Sequence, residues 1–307
     1  MTEREGLDRF EIGVGTWSWG DKRFWGYGRG YGDADLRGAF DAAIASGVRF
    51  FDTAEIYGFG KSERLLGRFI AETGEHVSIA TKFFPYPWRV AGSQLIGALR
   101  RSLDRLAVPH VDLYQTHWPL PPRSVSAWME PMARAVSEGL IKSVGVSNYS
   151  ADQMRRAFER LASRGIRLAS NQVEYSLLKR TVEVNGVRDA CRELNVKLIA
   201  YSPLAMGMLS GKYTPESPPP GVRGFRYRSP LLASLRPLVG LMDEIGRGHG
   251  NRTRNQVALN WLICKGALPI PGAKSAAHAT ENSGAAGWRL TPEDVAALDE
   301  ASQAFRK

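Results

Sequence analysis

The 307-residue chain is 43% hydrophobic and 10% aromatic, ample for one large core and against disorder. Its formal net charge of +10 raises nucleic acid or anionic membranes as partners, but the basic residues lie scattered as singles and pairs such as Arg100-Arg101, with no nucleic-acid-binding pattern beside them. Cys191 and Cys264 lack metal-ligand spacing and suit a reducing compartment, while a polar start and the lack of a membrane-length apolar run point to a soluble, cytoplasmic protein.

Residues 11–16 alternate toward Gly13-Val14-Gly15-Thr16, a first strand ending in small residues. This is not a dinucleotide-binding turn, because the third glycine and the helix directly behind it are missing. An aromatic loop follows over 17–32, carrying Trp17, Trp19, Phe24, Trp25, Tyr27 and Tyr31. Asp33 caps a helix through Leu36, Phe40 and Ile44 that Gly47 stops. Residues 48–51, β-branched and aromatic, read as a buried strand that ends abruptly at Asp52, with Tyr57 in the glycine-marked loop beyond. A helix over 62–70 leads to a strand over 77–82 ending at Lys82, then a proline-bearing loop over 83–88. The helix over 93–106 sets Leu95, Ile96, Leu99, Leu103 and Leu106 on one stripe. A strand from 111 ends at His117, followed by Trp118-Pro119 and a helix that Gly139 stops.

The second half keeps this rhythm. A strand over 141–146 ends at Ser147-Asn148-Tyr149, a helix spans 152–161, and a strand over 168–175 holds Asn171-Gln172. A helix over 184–194 precedes a strand over 196–200 that ends in Tyr201-Ser202-Pro203-Leu204. The longest irregular stretch, 205–229, contains Arg223, Arg226 and Arg228; helical patterns over 231–245 and 254–264 follow it. A short strand over 267–270 leads into Pro271-Gly272-Ala273-Lys274-Ser275 and a helix over 278–285, and Thr291-Pro292-Glu293-Asp294 is a capping box for a last helix. Eight strand-like runs alternating with helices predict an α/β fold, a parallel eight-stranded (β/α)8 barrel. In such a barrel the strand ends share one face, where Asp52, Lys82, His117, Asn148, Gln172, Tyr201 and Lys274 converge.

Several of these stretches resemble the aldo-keto reductase family from about Ile12 to Leu298. The motifs are Gly47-Val48-Arg49-Phe50-Phe51-Asp52-Thr53-Ala54-Glu55-Ile56-Tyr57-Gly58, Asp112-Leu113-Tyr114-Gln115-Thr116-His117-Trp118, Gly145-Val146-Ser147-Asn148-Tyr149 and Asn171-Gln172-Val173-Glu174-Tyr175-Ser176. Tyr201-Ser202-Pro203-Leu204 with Gly207 and Leu209-Ser210-Gly211-Lys212-Tyr213 is similar to its cofactor loop. The opening from Gly15 to Gly28 is similar to a plant and cyanobacterial branch of the family. The resemblance implies a single barrel domain over 1–307, with an N-terminal strand or hairpin and an extra C-terminal helix. It also implies NAD(P)H-dependent reduction of an aldehyde or ketone.

Hydride arriving at a carbonyl carbon leaves charge on oxygen, so such a site needs a placed proton donor. The resemblance assigns that role to Tyr57. A free phenol has a pKa near 10, and bringing it toward neutrality takes roughly 3–4 kcal/mol of phenolate stabilisation. The expected source is the Lys82 ammonium, kept charged by Asp52, with His117 orienting the carbonyl or sharing in proton transfer. Taken singly, these four read as a helix cap, a surface phenol, a snorkelling lysine and a core histidine. Together at strand ends they read as a site.

The resemblance further implies that Gly15, Thr16 and Trp17 line the cofactor, that Ser147, Asn148 and Gln172 hold its carboxamide, and that Tyr201 stacks on its nicotinamide ring. Ser202, Pro203, Leu204, Gly207 and Lys212 fall at the pyrophosphate, and Gly272, Lys274, Ser275, His278, Glu281 and Asn282 at the adenosine end. Gly272 and Ala273 stand where many members carry Lys and Ser, and His278 where Arg or Gln is frequent; Lys274 and Ser275 still favour NADPH over NADH. Around the mouth, Trp19, Trp25, Phe83 and Trp118 either face a planar or apolar carbonyl substrate or pack the loops. Neither nucleic acid nor membrane is expected as a partner. The alternative to a working reductase is a nicotinamide-binding, redox-sensing regulatory subunit.

Overall fold

The apolar runs pair in the order in which they occur. The computed structural model describes residues 6–219 and 229–306. Within them, eight parallel strands are hydrogen-bonded in sequence order. They are β1 (Val14–Gly15), β2 (Phe50–Asp52), β3 (Ser78–Phe83), β4 (Val111–Thr116), β5 (Ile141–Ser147), β6 (Leu168–Glu174), β7 (Lys197–Tyr201) and β8 (Leu268–Pro269). The sheet curls closed as its first and last members meet. Gly13 N donates to Pro269 O and Gly15 N to Pro271 O, each at 3.0 Å, and Gly15 bridges to Gly272.

This seam explains one glycine. A Cβ on Gly15 would stand 2.7 Å from the Ile270 carbonyl oxygen, inside van der Waals contact with backbone that cannot yield. Gly15→Ala is therefore expected to destabilise the fold by about 1–3 kcal/mol, as overpacking does, read as a lower urea midpoint at unchanged slope. An unchanged midpoint would mean that the seam is loose.

Helices α1 (Asp33–Ala45), α2 (Lys61–Thr73), α3 (Gly92–Leu106), α4 (Val125–Ser137), α5 (Ala151–Ala162) and α6 (Val187–Glu193) alternate with the strands. The predicted stripe of α3 is buried, and Ser150 and Thr253 cap α5 and the helix over Arg254–Cys264 by accepting from Gln153 N and Gln256 N. The helix expected over 184–194 starts later, because Gly186 is left-handed at φ 80; a 3-10 turn, Thr181–Glu183, precedes it. The single helix expected over 231–245 is two, α7 (Ser229–Ser234) and α8 (Arg236–Gly248). Pro237 has no N–H to continue the first helix and sits in the opening turn of the second. Helices α9 (Arg254–Cys264), α10 (Ala276–Ser283) and α11 (Pro292–Ala301) complete the chain, the last being the expected extra C-terminal helix.

Side chains alternate across each strand, so the strands feed two cores. Phe50, Ala80, Leu113, Ile199, Leu268 and Ile270 fill the barrel interior, while Phe51, Ile79, Phe83 and Tyr114 pack outward among the helices. The expected N-terminal strand or hairpin is absent among the described residues. A 3-10 turn, Gly6–Arg9, brings Leu7 and Phe10 together against the interior cluster, with the Phe10 ring 5.3 Å from that of Phe50. No helix among the described residues is long and apolar enough to cross a membrane, and no group of His, Cys, Asp and Glu there could hold a metal ion.

Candidate active site

At the C-terminal ends of the strands the interior turns polar. Lys82 on β3 is fully buried, and its Nζ is ion-paired with Asp52 Oδ1 at the end of β2. Nζ also donates to Thr53 O at 2.9 Å and to the Tyr57 hydroxyl at 3.4 Å. Asp52 Oδ2 accepts from Gln172 Nε2 at 2.8 Å and Gln115 Nε2 at 3.2 Å. A buried ion pair persists only where its remaining lone pairs and protons are satisfied, which these two amides and the Thr53 carbonyl accomplish. Burial lowers the Lys82 pKa from its ordinary 10.5, with the Asp52 carboxylate opposing.

Tyr57 is placed by a tight turn. The 3-10 segment Tyr57–Gly60 is left-handed at Gly58 (φ 55), Phe59 (φ 55) and Gly60 (φ 82). A Cβ on Gly58 would stand 2.8 Å from Gly20 O, so only glycine lets the two loops approach. The turn sets the Tyr57 ring 5.7 Å from the His117 ring at 79° and 5.0 Å from Lys82 Nζ. His117 is anchored through its backbone, donating N–H to Phe83 O at 2.8 Å and accepting from Asn148 Nδ2 at 3.1 Å.

The electrostatics differ from the sequence expectation. Burial, reinforced by the Asp52 carboxylate, pushes the Tyr57 phenol well above 10, whereas the sequence argument had Lys82 acidify it. Desolvation of the buried ring is the larger cause, and the Asp52 carboxylate beside it disfavours a second negative charge. Burial and the Lys82 ammonium hold His117 well below 6.5. Tyr57 thus keeps its proton, His117 is a neutral imidazole, and a lysine N–H already points at the phenol oxygen.

Next to this group lie most of the residues expected at the nicotinamide. Ser147 ends β5 and donates from Oγ to Gln172 O at 2.9 Å. Asn148, left-handed at φ 61, donates to Ser147 Oγ at 3.1 Å and accepts from the Tyr201 hydroxyl at 3.0 Å. The Gln172 amide nitrogen is engaged by Asp52, so Gln172 supports the Asp52–Lys82 pair as well as this neighbourhood. Thr16 is fully buried; its hydroxyl bonds to Asp52 O at 2.9 Å and to Ser62 Oγ at 2.7 Å, holding β1 to β2. Trp17 lies 6.4 Å from the Tyr57 ring and 5.4 Å from Trp25.

Beyond β7 the backbone is strained in a cluster. Ser202 (φ 50), Ala205 (φ 48), Met206 (φ 56) and Gly207 (φ 93) are all left-handed, around Pro203 and Leu204. Lys212 follows, its Nζ over the Tyr213 ring at 4.8 Å. On the segment after β8, Lys274 Nζ donates to Trp25 O at 3.1 Å, with the rings of Trp25 and Tyr31 at 4.6 and 4.5 Å. Ser275 caps α10, accepting from His278 N, and Asn282 donates to Gly272 O at 3.3 Å. Glu281 accepts from Asn255 Nδ2 at 3.2 Å. Partial burial and the Lys212 and Lys274 ammonium groups lower the His278 pKa, with Glu281 opposing. Two cations therefore gather near the N-terminus of a helix, a setting that suits an anion.

Two rim expectations are corrected. Trp19 is fully buried, packed on Phe51 and Phe69 with its indole N–H donating to Ala273 O at 2.9 Å. Phe83 is fully buried too: one position past inward-facing Lys82 it points outward, onto Trp128. The inward alternate, Phe84, lies 5.7 Å from the His117 ring. Trp118 is exposed and Trp25 half-buried, while Arg223, Arg226 and Arg228 lie outside the described residues. Three supporting residues had been given no role: Gln115, Glu55 and Arg89. Gln115 pairs with Lys82 in register, a lone amide inside an apolar strand, which is the signal that could have found it.

The sequence pattern of the Aldo/keto reductase family matches residues 11–303. Over 306 residues the chain is 41% identical to the chloroplastic pyridoxal reductase of Arabidopsis thaliana, spanning 95% of this chain and 83% of that protein. The fold is similar to the glycerol dehydrogenase of Gluconobacter oxydans, with a TM-score of 0.85 at 25% identity over 96% of this chain and 92% of that one. It is also similar to an aldo-keto reductase of Klebsiella pneumoniae in complex with NADPH, with a TM-score of 0.75 at 27% identity over 100% and 96% of the two chains. The barrel is that of a nicotinamide-dependent carbonyl oxidoreductase. The chain belongs to the aldo/keto reductase family.

Proposed function

We propose that this protein reduces an aromatic aldehyde to the alcohol with NADPH, and that Tyr57 is the general acid. The observation that carries the reading is the Tyr57 hydroxyl 3.4 Å from a lysine that is itself ion-paired with Asp52, with the His117 ring 5.7 Å from that of Tyr57. Bound reduced nicotinamide supplies the hydride. As the carbonyl carbon gains its C–H bond, the electron pair of the C=O π bond moves to oxygen and Tyr57 delivers its proton there. Lys82 Nζ then donates to the phenolate oxygen, stabilising charge where it develops. His117, neutral, directs the carbonyl oxygen toward Tyr57.

For the cofactor, the reading rests on Lys274 and Ser275 at the start of α10, which together favour a 2′-phosphate, with Lys212 beside them for the pyrophosphate. A charge-assisted hydrogen bond contributes about 1.5–3 kcal/mol, or roughly a tenfold to hundredfold in affinity. Lys274→Met is accordingly expected to weaken NADPH at least about tenfold and NADH about twofold or less, by fluorescence titration. Equal weakening of both would place Lys274 away from the phosphate.

The aromatic surroundings, Trp17, Trp25 and Phe84, support a planar ring, and a relative sharing 41% of its residues is a pyridoxal reductase. Pyridoxal and benzaldehyde are thus the first substrates to assay by NADPH absorbance. Binding of NADPH without turnover on a broad aldehyde panel would overturn the reductase reading in favour of a redox-sensing subunit.

A further inference from the structure

The loop that follows β3 is organised around one arginine. Arg89 Nη1 is ion-paired with Glu55 Oε1, Nη2 donates to Glu55 Oε2 at 3.2 Å, and Nη1 also donates to Phe84 O at 2.8 Å. The same carboxylate accepts from Phe84 N at 2.7 Å, so both backbone groups of Phe84 are gripped by one pair. Glu55 N in turn approaches Lys82 O at 3.4 Å, two residues before Tyr57. The pair is mostly buried, with side-chain exposures of 14% and 8%. Buried pairs are poor sources of net stability, and an apolar pair of similar volume would hold a loop as well. What this pair adds is geometric: a fork that fixes Phe84 in one place.

The guanidinium also lies 5.2 Å over the Tyr86 ring. From there the aromatics form tiers. Phe84 is 5.7 Å from the His117 ring, Tyr86 is 4.6 Å from Phe84, and Trp88 stacks on Tyr86 at 4.7 Å and 8°. The outermost tier is 69% exposed, a large flat apolar face left to solvent yet continuous with the catalytic histidine. A lone surface tryptophan needs no explanation, but a stacked series beginning at a reaction centre does.

We propose that Phe84, Tyr86 and Trp88 are an aromatic wall that binds the part of a planar, extended aromatic carbonyl substrate remote from its reacting carbon, and that Arg89, held by Glu55, is the positioning residue that builds it. This rests on the carbonyl-reduction reading above and adds to it a preference for two fused rings over short aliphatic chains. The wall acts on binding of ground and transition state alike, so its loss raises KM more than it lowers kcat.

The test compares naphthaldehyde with propanal, which ends short of the wall. Trp88→Ala and Arg89→Met are each expected to lower the ratio of kcat/KM for naphthaldehyde over propanal about tenfold, chiefly through KM for naphthaldehyde. Arg89→Lys, which keeps a cation over Tyr86 without the fork, falls between. Trp88 is on the surface, so its variant keeps the test sound if the Arg89 variants unfold. Calorimetric titration of naphthalenemethanol into the NADPH-loaded protein gives a readout without turnover, and Trp88→Ala is expected to weaken it about tenfold. Equal losses on both aldehydes, or alcohol binding indifferent to Trp88, overturn the proposal. Trp88-dependent alcohol binding in a protein that reduces no aldehyde supports the wall and overturns the reductase reading instead.

Discussion

Tyr57→Phe is expected to lower kcat at least about a hundredfold and to leave NADPH affinity within about twofold. A placed general acid contributes roughly a hundredfold to ten-thousandfold, and the substitution removes that hydroxyl alone. The ring that packs against Trp17 and His117 stays, so neither the fold nor the cofactor face is disturbed. The charge states add a second readout. With the phenol pushed above 10 and the imidazole held below 6.5, neither changes protonation between those values in the free protein. Spectroscopic titration of the free wild type should therefore show no phenolate between pH 6.5 and 10 that is missing from the variant. A phenolate near neutrality that the substitution abolishes would mean that the lysine field wins over desolvation. Wild-type kcat in the variant would remove Tyr57 from the chemistry altogether.

The fold was legible because a parallel barrel writes itself as short apolar runs separated by amphipathic helices. The runs ending at Asp52, Lys82 and His117 were visible as such, and the structure brings all three to one end of the sheet. Alternation across a strand was harder to use at its end. Lys82 and Phe84 face inward, so Phe83 between them cannot, yet a loop of consecutive aromatics gives no parity until the last strand residue is fixed. Trp19 is ambiguous for a related reason: an indole in an aromatic loop can face a substrate or pack, and only its bond to the distant Ala273 carbonyl marks it as core. The sign of the Tyr57 shift was illegible as well. Asp52 and Lys82 stand out in the sequence, but how completely a phenol beside them is desolvated depends on packing that spacing does not encode. Gln115 and Arg89 escaped because their partners lie far away in the chain, at Asp52 and Glu55.

The largest combined effect is expected from the buried pair itself. Lys82→Met should abolish measurable turnover and destabilise the protein by about 3–5 kcal/mol, because it strands the Asp52 carboxylate in a site closed to water. The amides of Gln115 and Gln172 would still donate to it, but no cation would remain in contact. Adding Asp52→Asn removes the stranded charge, and a neutral pair of similar volume fits such a site at little net cost. The double variant should therefore regain most of the lost stability while remaining inactive, since the N–H donated to the phenol oxygen is still gone. Urea unfolding of the wild type, both single variants and the double closes the cycle. A double variant no more stable than Lys82→Met would show that packing around the lysine stem, rather than charge, sets the cost. Recovered turnover in the double would show that the ammonium is dispensable, and the proton path proposed through Tyr57 would lose its support.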